Sequence, residues 1–518
     1  MAGKIEADFT HGEVVSVNLK TANNVVLIPQ PSDNPKDPLN WPVAKKIMIL
    51  VIVSYTSFIG TAQQVANQSG IFAQATLYNR KPIELSYSIS ADVIGSVVGP
   101  LIWTAVARHI GRTSLMFWGT VVSFGCNIWS ACMTKDDQYI AFVLSRWLAG
   151  LFASVSMTVG AGIILDIFFL HQRGKAFALY SVVTLFGALF APVVSGFIVE
   201  TTSWPVQFWW CVGGLGFACV LILFFMEDTT YDRSNSDEGA EPLKQSYVAN
   251  RIDHLFPGNK VVTTTGKTSP WSVFIVAICP PILIAGMGLI LTFSWVVGVN
   301  ITLADFLQTP VELGGYGFTA QQNAEFTFAQ WVSFLTAELY GFLLSDRAAL
   351  WICRRHGGIW KPEYRLFPTI LAPAIALPVG LIIFGVTLKY HLHYMVLALG
   401  LYLATFADMA IVPVLTNYLA ECFTGYVVET YTCLWIFRLV LGVALPFFMT
   451  EWLARTGPAW TFGIMAIMSC VGGGLFLLLA WKGHEIREYS FKRHVFKRFI
   501  HTEEGVQVVR ASLQGPQP

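Results

Sequence analysis

The sequence predicts an all-α polytopic membrane protein, with twelve transmembrane helices in two six-helix halves and both termini in the cytoplasm. Three observations point there. Hydrophobic residues make up 54% of the 518 positions and charged residues only 13%, with a mean hydropathy of +0.56, a balance that water-soluble globular chains rarely have. Apolar runs of about 20 residues, the length that crosses a hydrocarbon core of roughly 30 Å, recur along the chain. A polar stretch divides those runs six and six.

Taken in order, a polar, proline-rich tail (1–43) comes first, without a basic segment leading into a cleavable apolar core, so no signal peptide is expected. The first half (44–226) holds spans near 44–66, 84–107, 114–133, 139–168, 175–199 and 207–226. A linker (227–270) carrying "SNSDEGAEPLK" follows. The second half (271–481) holds spans near 271–299, 325–346, 366–388, 394–418, 429–452 and 459–481, and a basic tail (482–518) closes the chain. Polar residues interrupt the third and eighth spans. Cys126, Cys132, Cys211, Cys219, Cys279 and Cys470 fall within or beside apolar runs and read as small buried hydrophobes, with no CxxC pair to suggest a metal.

Basic residues set the orientation. With the N-terminus inside, Arg108, Arg112, Arg173, Lys175, the linker, the Arg347 to Arg365 region and the tail lysines and arginines share one side, and few basic residues fall opposite. Two N-x-S/T sequons, Asn67 and Asn300, then lie on the outer side as possible glycosylation sites. The segment "GPLIWTAVARHIGR" (Gly99 to Arg112) is echoed by "GFLLSDRAALWICRRHGG" (Gly341 to Gly358), a hint that the halves are repeats.

Several residues contradict the apolar pattern and are candidates for function. In "GALFAPVVSG" of the fifth span, Gly187, Ala191 and Ser195 fall four apart, as do Ala188, Pro192 and Gly196, giving a stripe of small side chains that admits another helix at backbone distance. Pro192 also removes a helical hydrogen bond and bends the segment. Arg146, eight residues into the fourth span, costs on the order of 3 kcal/mol to insert and so calls for a polar cavity or a partner. Asp92 in the second span and Asp408 in the tenth are protonatable candidates, with a structural hydrogen bond as the competing role for each. Glu338, Asp346, Arg347 and Arg438 form a second group, and Asp166 with Arg112 a candidate gate contact. Trp103, Trp147, Trp295, Trp331, Trp435, Gln63, Gln64, Tyr55 and Tyr402 are candidates for lining an amphipathic cavity.

Three stretches carry a family resemblance over nearly the whole chain, about 27–490. "IPQPSDNPKDPLNWP" (Ile28 to Pro42) resembles an N-terminal signature, "KPEYRL" (Lys361 to Leu366) resembles a second mark, and "RWLAG" (Arg146 to Gly150) matches an RxxxG motif. Together they resemble the major facilitator superfamily, more narrowly its fungal drug:proton antiporter branch. The resemblance implies alternating-access transport, a proton-coupling role for Arg146, and a hinge or seal favouring export for the fifth-span stripe, where Ala191 and Ser195 stand in place of two glycines. The loop after the second span departs from the family pattern, because Arg108 and His109 occupy the places of an aspartate and an arginine, whereas Gly111 and Arg112 are retained.

Other classes fit poorly. "TGKTS" (Thr265 to Ser269) lacks the upstream glycine of a P-loop, Val261 standing in its place, and all ten histidines lie in loops, tails or helix ends. The expectation is therefore a monomeric, non-enzymatic secondary transporter with no cofactor beyond a proton gradient, no metal and no nucleic-acid partner. It would export small organic molecules, drugs, toxins or secondary metabolites, from a plasma or vacuolar membrane. The alternatives are a proton-coupled importer of a nutrient or polyamine and a non-transporting sensor.

Overall fold

The computed structural model describes residues 21–22, 25–26, 29–32, 34, 37–230, 255, 272–355, 361–423 and 426–492. Each of the twelve predicted spans coincides with helix. In the first half these are α1 (Val43–Val65), continued through a 3₁₀ turn (Ala66–Gly70) into α2 (Ile71–Tyr78), then α3 (Pro82–Ile110), α4 (Arg112–Cys132), α5 (Tyr139–Ile167), α6 (Leu170–Thr201) and α7 (Val206–Phe225). The second half has α8 (Ser272–Ile278), α9 (Pro280–Leu291) and α10 (Phe293–Gln308), which together make the seventh span. It continues with α11 (Ala320–Arg355), α12 (Leu366–Tyr390), α13 (Tyr394–Cys422), α14 (Val427–Thr456) and α15 (Pro458–Lys492). Two-residue strands, Thr21–Ala22 and Val25–Val26, pair antiparallel.

Eleven of these segments are long and apolar enough to cross a membrane among the described residues. The eighth span, α11, has the length, 36 residues, but is not among the eleven. Its Gln321, Gln322, Asn323 and Glu325 dilute the apolar character at one end. Large apolar side chains such as Ile140, Phe342 and Trp481 stand exposed around the bundle, a surface that water would not tolerate and lipid requires.

The helix boundaries depart from the sequence-based expectation in three places. The expected loop after the first span is helical to Tyr78, ended by Asn79 in a left-handed cap at φ 51°. The expected loop between the second and third spans shrinks to Gly111, whose φ of 91° only glycine adopts without strain. The seventh span, expected as one helix over 271–299, breaks at Cys279, where Pro280 and Pro281 cannot donate, and again at Thr292. Most of the predicted linker and tails, including "TGKTS", lies outside the described residues.

With α11 counted as the twelfth crossing, the start of α1 and the end of α15 fall on one face of the bundle, here called the terminal face. Apolar clusters fill each half, and a further one joins them: Val93, Met157, Leu185 and Leu189 of the first half pack with Leu289, Met409, Val412 and Trp435 of the second. The halves also touch near both ends. At the far end Ser86 donates to Asp305 (3.0 Å) and Gln68 to the Asn300 carbonyl (2.6 Å). Toward the terminal face the Tyr180 and Tyr431 rings lie 6.3 Å apart. The halves are therefore in contact at both levels in this structure.

Candidate functional site

In the first half, a polar knot is built around Arg146 of α5. Its side chain is fully buried, and its Nη2 lies 2.6 Å from Asp92 Oδ2 of α3, both side chains shut off from solvent. That contact is an ion pair whose angle falls outside hydrogen-bond geometry, since Asp92 Oδ2 accepts no hydrogen bond. Its terminal nitrogens donate to α1 and α4: Nη2 to the Gln63 carbonyl (2.5 Å), Nη1 to Gln63 Oε1 (3.3 Å) and Asn127 Oδ1 (3.2 Å), whereas Nε has no partner among the described residues. Gln63 donates to Asp92 Oδ1 (3.2 Å), and the guanidinium carbon sits 5.1 Å from the Phe208 ring centroid of α7. Five membrane helices thus contribute to one neutralised cluster, the arrangement that makes a buried charge tolerable.

The local sequence explains why the pair forms. Gly150 lies one turn beyond Arg146, and a Cβ there would stand 1.9 Å from the Asp92 carbonyl oxygen. Gly95, nearly one turn after Asp92, meets the Trp147 carbonyl in the same way, at 2.3 Å. The two glycines let α3 and α5 touch backbone to backbone, which carries the carboxylate to the guanidinium.

The fifth-span stripe on α6 faces two ways. A Cβ on Gly187 would lie 2.3 Å from the Phe58 carbonyl of α1, whereas one on Gly196 would lie 2.6 Å from Ala324 of α11, in the other half. Between them Ala191 is fully buried, the Pro192 carbonyl accepts from Ser69 (3.0 Å) and Ser195 accepts from Trp210 (3.2 Å). Trp331 of α11 donates to the Leu189 carbonyl (2.8 Å) and its ring stacks on Phe190. The stripe is accordingly a seam between halves as well as a packing surface within one.

The second half treats its buried charges differently. Asp408 of α13 is 1% exposed, and its Oδ2 has no hydrogen-bond partner among the described residues. It precedes the helix-interior Pro413 and shares a face with Val412 and Thr416, four and eight residues on. Those two residues line a narrow cavity between the halves together with Ser181, Thr184, Tyr431 and Arg438. Glu338 of α11 is half-buried, with its Oε1 also unpartnered.

The other expectations fare unevenly. Arg112 and Asp166 do form an ion pair, but both belong to the first half, so the contact clamps α4 to α5 and does not bridge the halves. The side chains of Asp346 and Arg108 lie outside the described residues, and Arg347 is exposed. Arg438 is not paired with Glu338, contrary to their grouping. Of the proposed cavity-lining residues only Trp435 lines the inter-half cavity; Gln63 belongs to the Arg146 knot, Trp103 donates to the Leu151 carbonyl (2.7 Å), Tyr55 to that of Gly214 (3.2 Å), and Trp295 is buried against Trp452. Neither sequon is placed for a glycan. Asn67 is fully buried, donating to Ser88 (2.9 Å) and accepting from Gln74 and Gln207, and Asn300 is tied to Gln330 and the Val296 carbonyl.

Two polar residues are missed by sequence reasoning. Asn127 sits among the polar interruptions of the third span, which signal it, and Asp305 falls beyond the expected end of the seventh span, so its burial is not visible there.

The match to the Major Facilitator Superfamily runs over residues 47–445, most of the chain and both halves. The chain belongs to this superfamily. Among curated relatives, the efflux pump radE of Floropilus chiversii is 25% identical over 468 residues, covering 88% of this chain and 84% of the relative. The MFS transporter cpaT of Aspergillus oryzae is 25% identical over 452 residues, with 85% and 87% covered. Among solved structures, the xylose transporter XylE from E. coli, partially occluded and inward open, superimposes with a TM-score of 0.59 at 14% identity, over 84% of this chain and 98% of that one. This superfamily member is accordingly a multi-pass membrane transporter, a class that binds small-molecule substrates within the membrane.

Proposed function

We propose that this transporter is a proton-coupled exporter of small organic molecules, working by alternating access with its terminal face in the cytoplasm of the cell whose plasma membrane holds it. Asp408 is the observation that carries the reading. A buried carboxyl group on the α13 face that carries the cavity-lining Val412 and Thr416, with its Oδ2 unpartnered among the described residues, is cheap to bury protonated and costly to bury charged. It can therefore hold a proton while the pathway is closed and release it when water reaches it. Asp92 is the weaker candidate for that cycle, because Arg146 already compensates its charge.

The rest of the cycle follows from the seams. The α6 stripe and its α11 partner meet through Gly196 and Ala324 next to a helix-interior proline, with the Trp331–Phe190 stack as the large-side-chain contact that must part when the seam moves. A proton moving inward across a membrane potential contributes about 2.3 kcal/mol per 100 mV, enough to expel cargo against a useful gradient without a bound cofactor. Outward direction is supported by relatives such as radE, named as an efflux pump.

The test uses purified protein in proteoliposomes with an imposed pH step and a panel of labelled organic compounds. Wild-type protein is expected to concentrate cargo on the side from which protons flow. Asp408→Asn is expected to retain cargo exchange at equilibrium while losing pH-driven accumulation, with little change in melting temperature. Retention of full pH-driven accumulation by this variant would remove Asp408 from the proton cycle.

A further inference from the structure

The inter-half cavity is lined by a cation for which the described residues supply no counter-charge. Arg438 of α14 is 5% exposed; among the described residues its guanidinium donates no hydrogen bond, its Nε is buried without a partner, and no carboxylate stands within ion-pair distance. What surrounds it is aromatic. The guanidinium carbon lies 3.7 Å from the Trp435 ring centroid and 5.2 Å from that of Phe293. The cavity wall it joins adds the hydroxyl-bearing residues Ser181, Thr184, Thr416 and Tyr431. Ring faces temper a cation but do not neutralise it, and buried charges left uncompensated are rare unless something else completes them.

We infer that the cargo site of this transporter accepts a small aromatic or amphipathic carboxylate. Arg438 is the counter-ion, Trp435 is the stacking face, and the hydroxyls of α6, α13 and α14 are secondary partners. This rests on the transporter reading above and adds the charge class of the cargo. A planar guanidinium presents its N–H groups in a fork that matches the two oxygens of a carboxylate. A ring beside that fork suits a flat apolar body. A cationic cargo would instead meet Arg438 as a like charge in a desolvated space, and a neutral one would leave it uncompensated. In this structure the cavity admits about one water-sized molecule, so the carboxylate occupies the site in a state with the halves further apart.

The measurement is binding to purified full-length protein in detergent, read by thermal shift and confirmed by calorimetry. The probes are benzoate, 2-naphthoate and indole-3-carboxylate, each beside its neutral carboxamide and its aminomethyl analogue, with sodium chloride and a saturated fatty acid as controls. At least one acid is expected to bind tenfold or more tightly than its own amide and its own amine. That preference should fall to about onefold in Arg438→Gln and survive in part in Arg438→Lys, both variants eluting as monodisperse protein. If every amide binds as well as its acid, or if Arg438→Gln keeps the preference, the assignment is overturned; equal effects from chloride or the fatty acid would overturn it too. The transport reading fails by a different result, namely acid binding intact with no pH-driven movement of any probe in vesicles.

Discussion

The two halves of this transporter each bury an arginine and an aspartate within the membrane, and they do opposite things with them. In the first half Arg146 and Asp92 stand 2.6 Å apart and share a knot of amides that completes the compensation of charge. In the second half Arg438 and Asp408 are also buried, yet among the described residues neither has an oppositely charged partner; the first-half pair likewise leaves Arg146 Nε and Asp92 Oδ2 without a hydrogen bond, so the difference lies in the ion pair. A compensated pair contributes to one fixed packing of helices, because separating it strands two ions. Uncompensated groups are available to a proton or to cargo, and their instability is relieved only when something binds. On the reading proposed above, the Arg146 knot serves as scaffold, and Arg438 and Asp408 serve the transport cycle together with the cavity-lining hydroxyls of α6.

Breaking the knot gives the largest expected effect. Arg146→Ala leaves Asp92 buried without its counter-ion and is expected to cost about 3–5 kcal/mol, measured as a fall in melting temperature of the purified protein. Arg438→Gln, removing a cation that has no acid partner, should cost far less. If the two variants destabilise equally, the contrast between halves is wrong.

Gly150→Ala sharpens the same point through geometry alone. Its new methyl would collide with the Asp92 carbonyl, forcing α3 and α5 apart at an expected cost of about 1–3 kcal/mol. Gly463→Ala, where nothing stands within 4 Å, is the control, expected to be neutral or slightly stabilising on the same melting curve.

The terminal-face clamp should matter less. Arg112 and Asp166 remain 26% and 20% exposed, so Arg112→Ala is expected to cost about 0.2–1 kcal/mol, a difference that shrinks when the melt is repeated at high salt. The smallest effect is none at all: glycosidase treatment of the protein expressed in a glycosylating host should leave its mass unchanged, because the Asn67 amide is consumed by Ser88, Gln74 and Gln207. A mass shift abolished by Asn67→Gln would show that this amide is free during synthesis.

Part of this site is legible in the amino-acid sequence. Arg146 announces that it needs a partner because an arginine eight residues into an apolar run has few alternatives, and Asp92 and Asp408 stand out by the same logic. Which aspartate Arg146 takes is not legible. That depends on Gly95 and Gly150 bringing α3 and α5 to backbone contact, and a glycine's neighbour is not written in its own segment. The Arg112–Asp166 pairing reads as a gate from topology alone, and only the packing of α4 on α5 reveals that both residues serve one half. Asp305 stays hidden because proline and threonine breaks lengthen the seventh span beyond where hydropathy ends it.

By itself the sequence determined the all-helical membrane class, the positions of the apolar helices, and the list of ionisable groups that lipid cannot accommodate, since the cost of burying polar atoms in hydrocarbon acts on each segment locally. Tertiary structure alone decided which of those charges cancel and which remain unpaired around the cavity. Pairing depends on contacts a few ångströms long between residues far apart in the chain, and small residues at helix crossings govern whether those contacts can form.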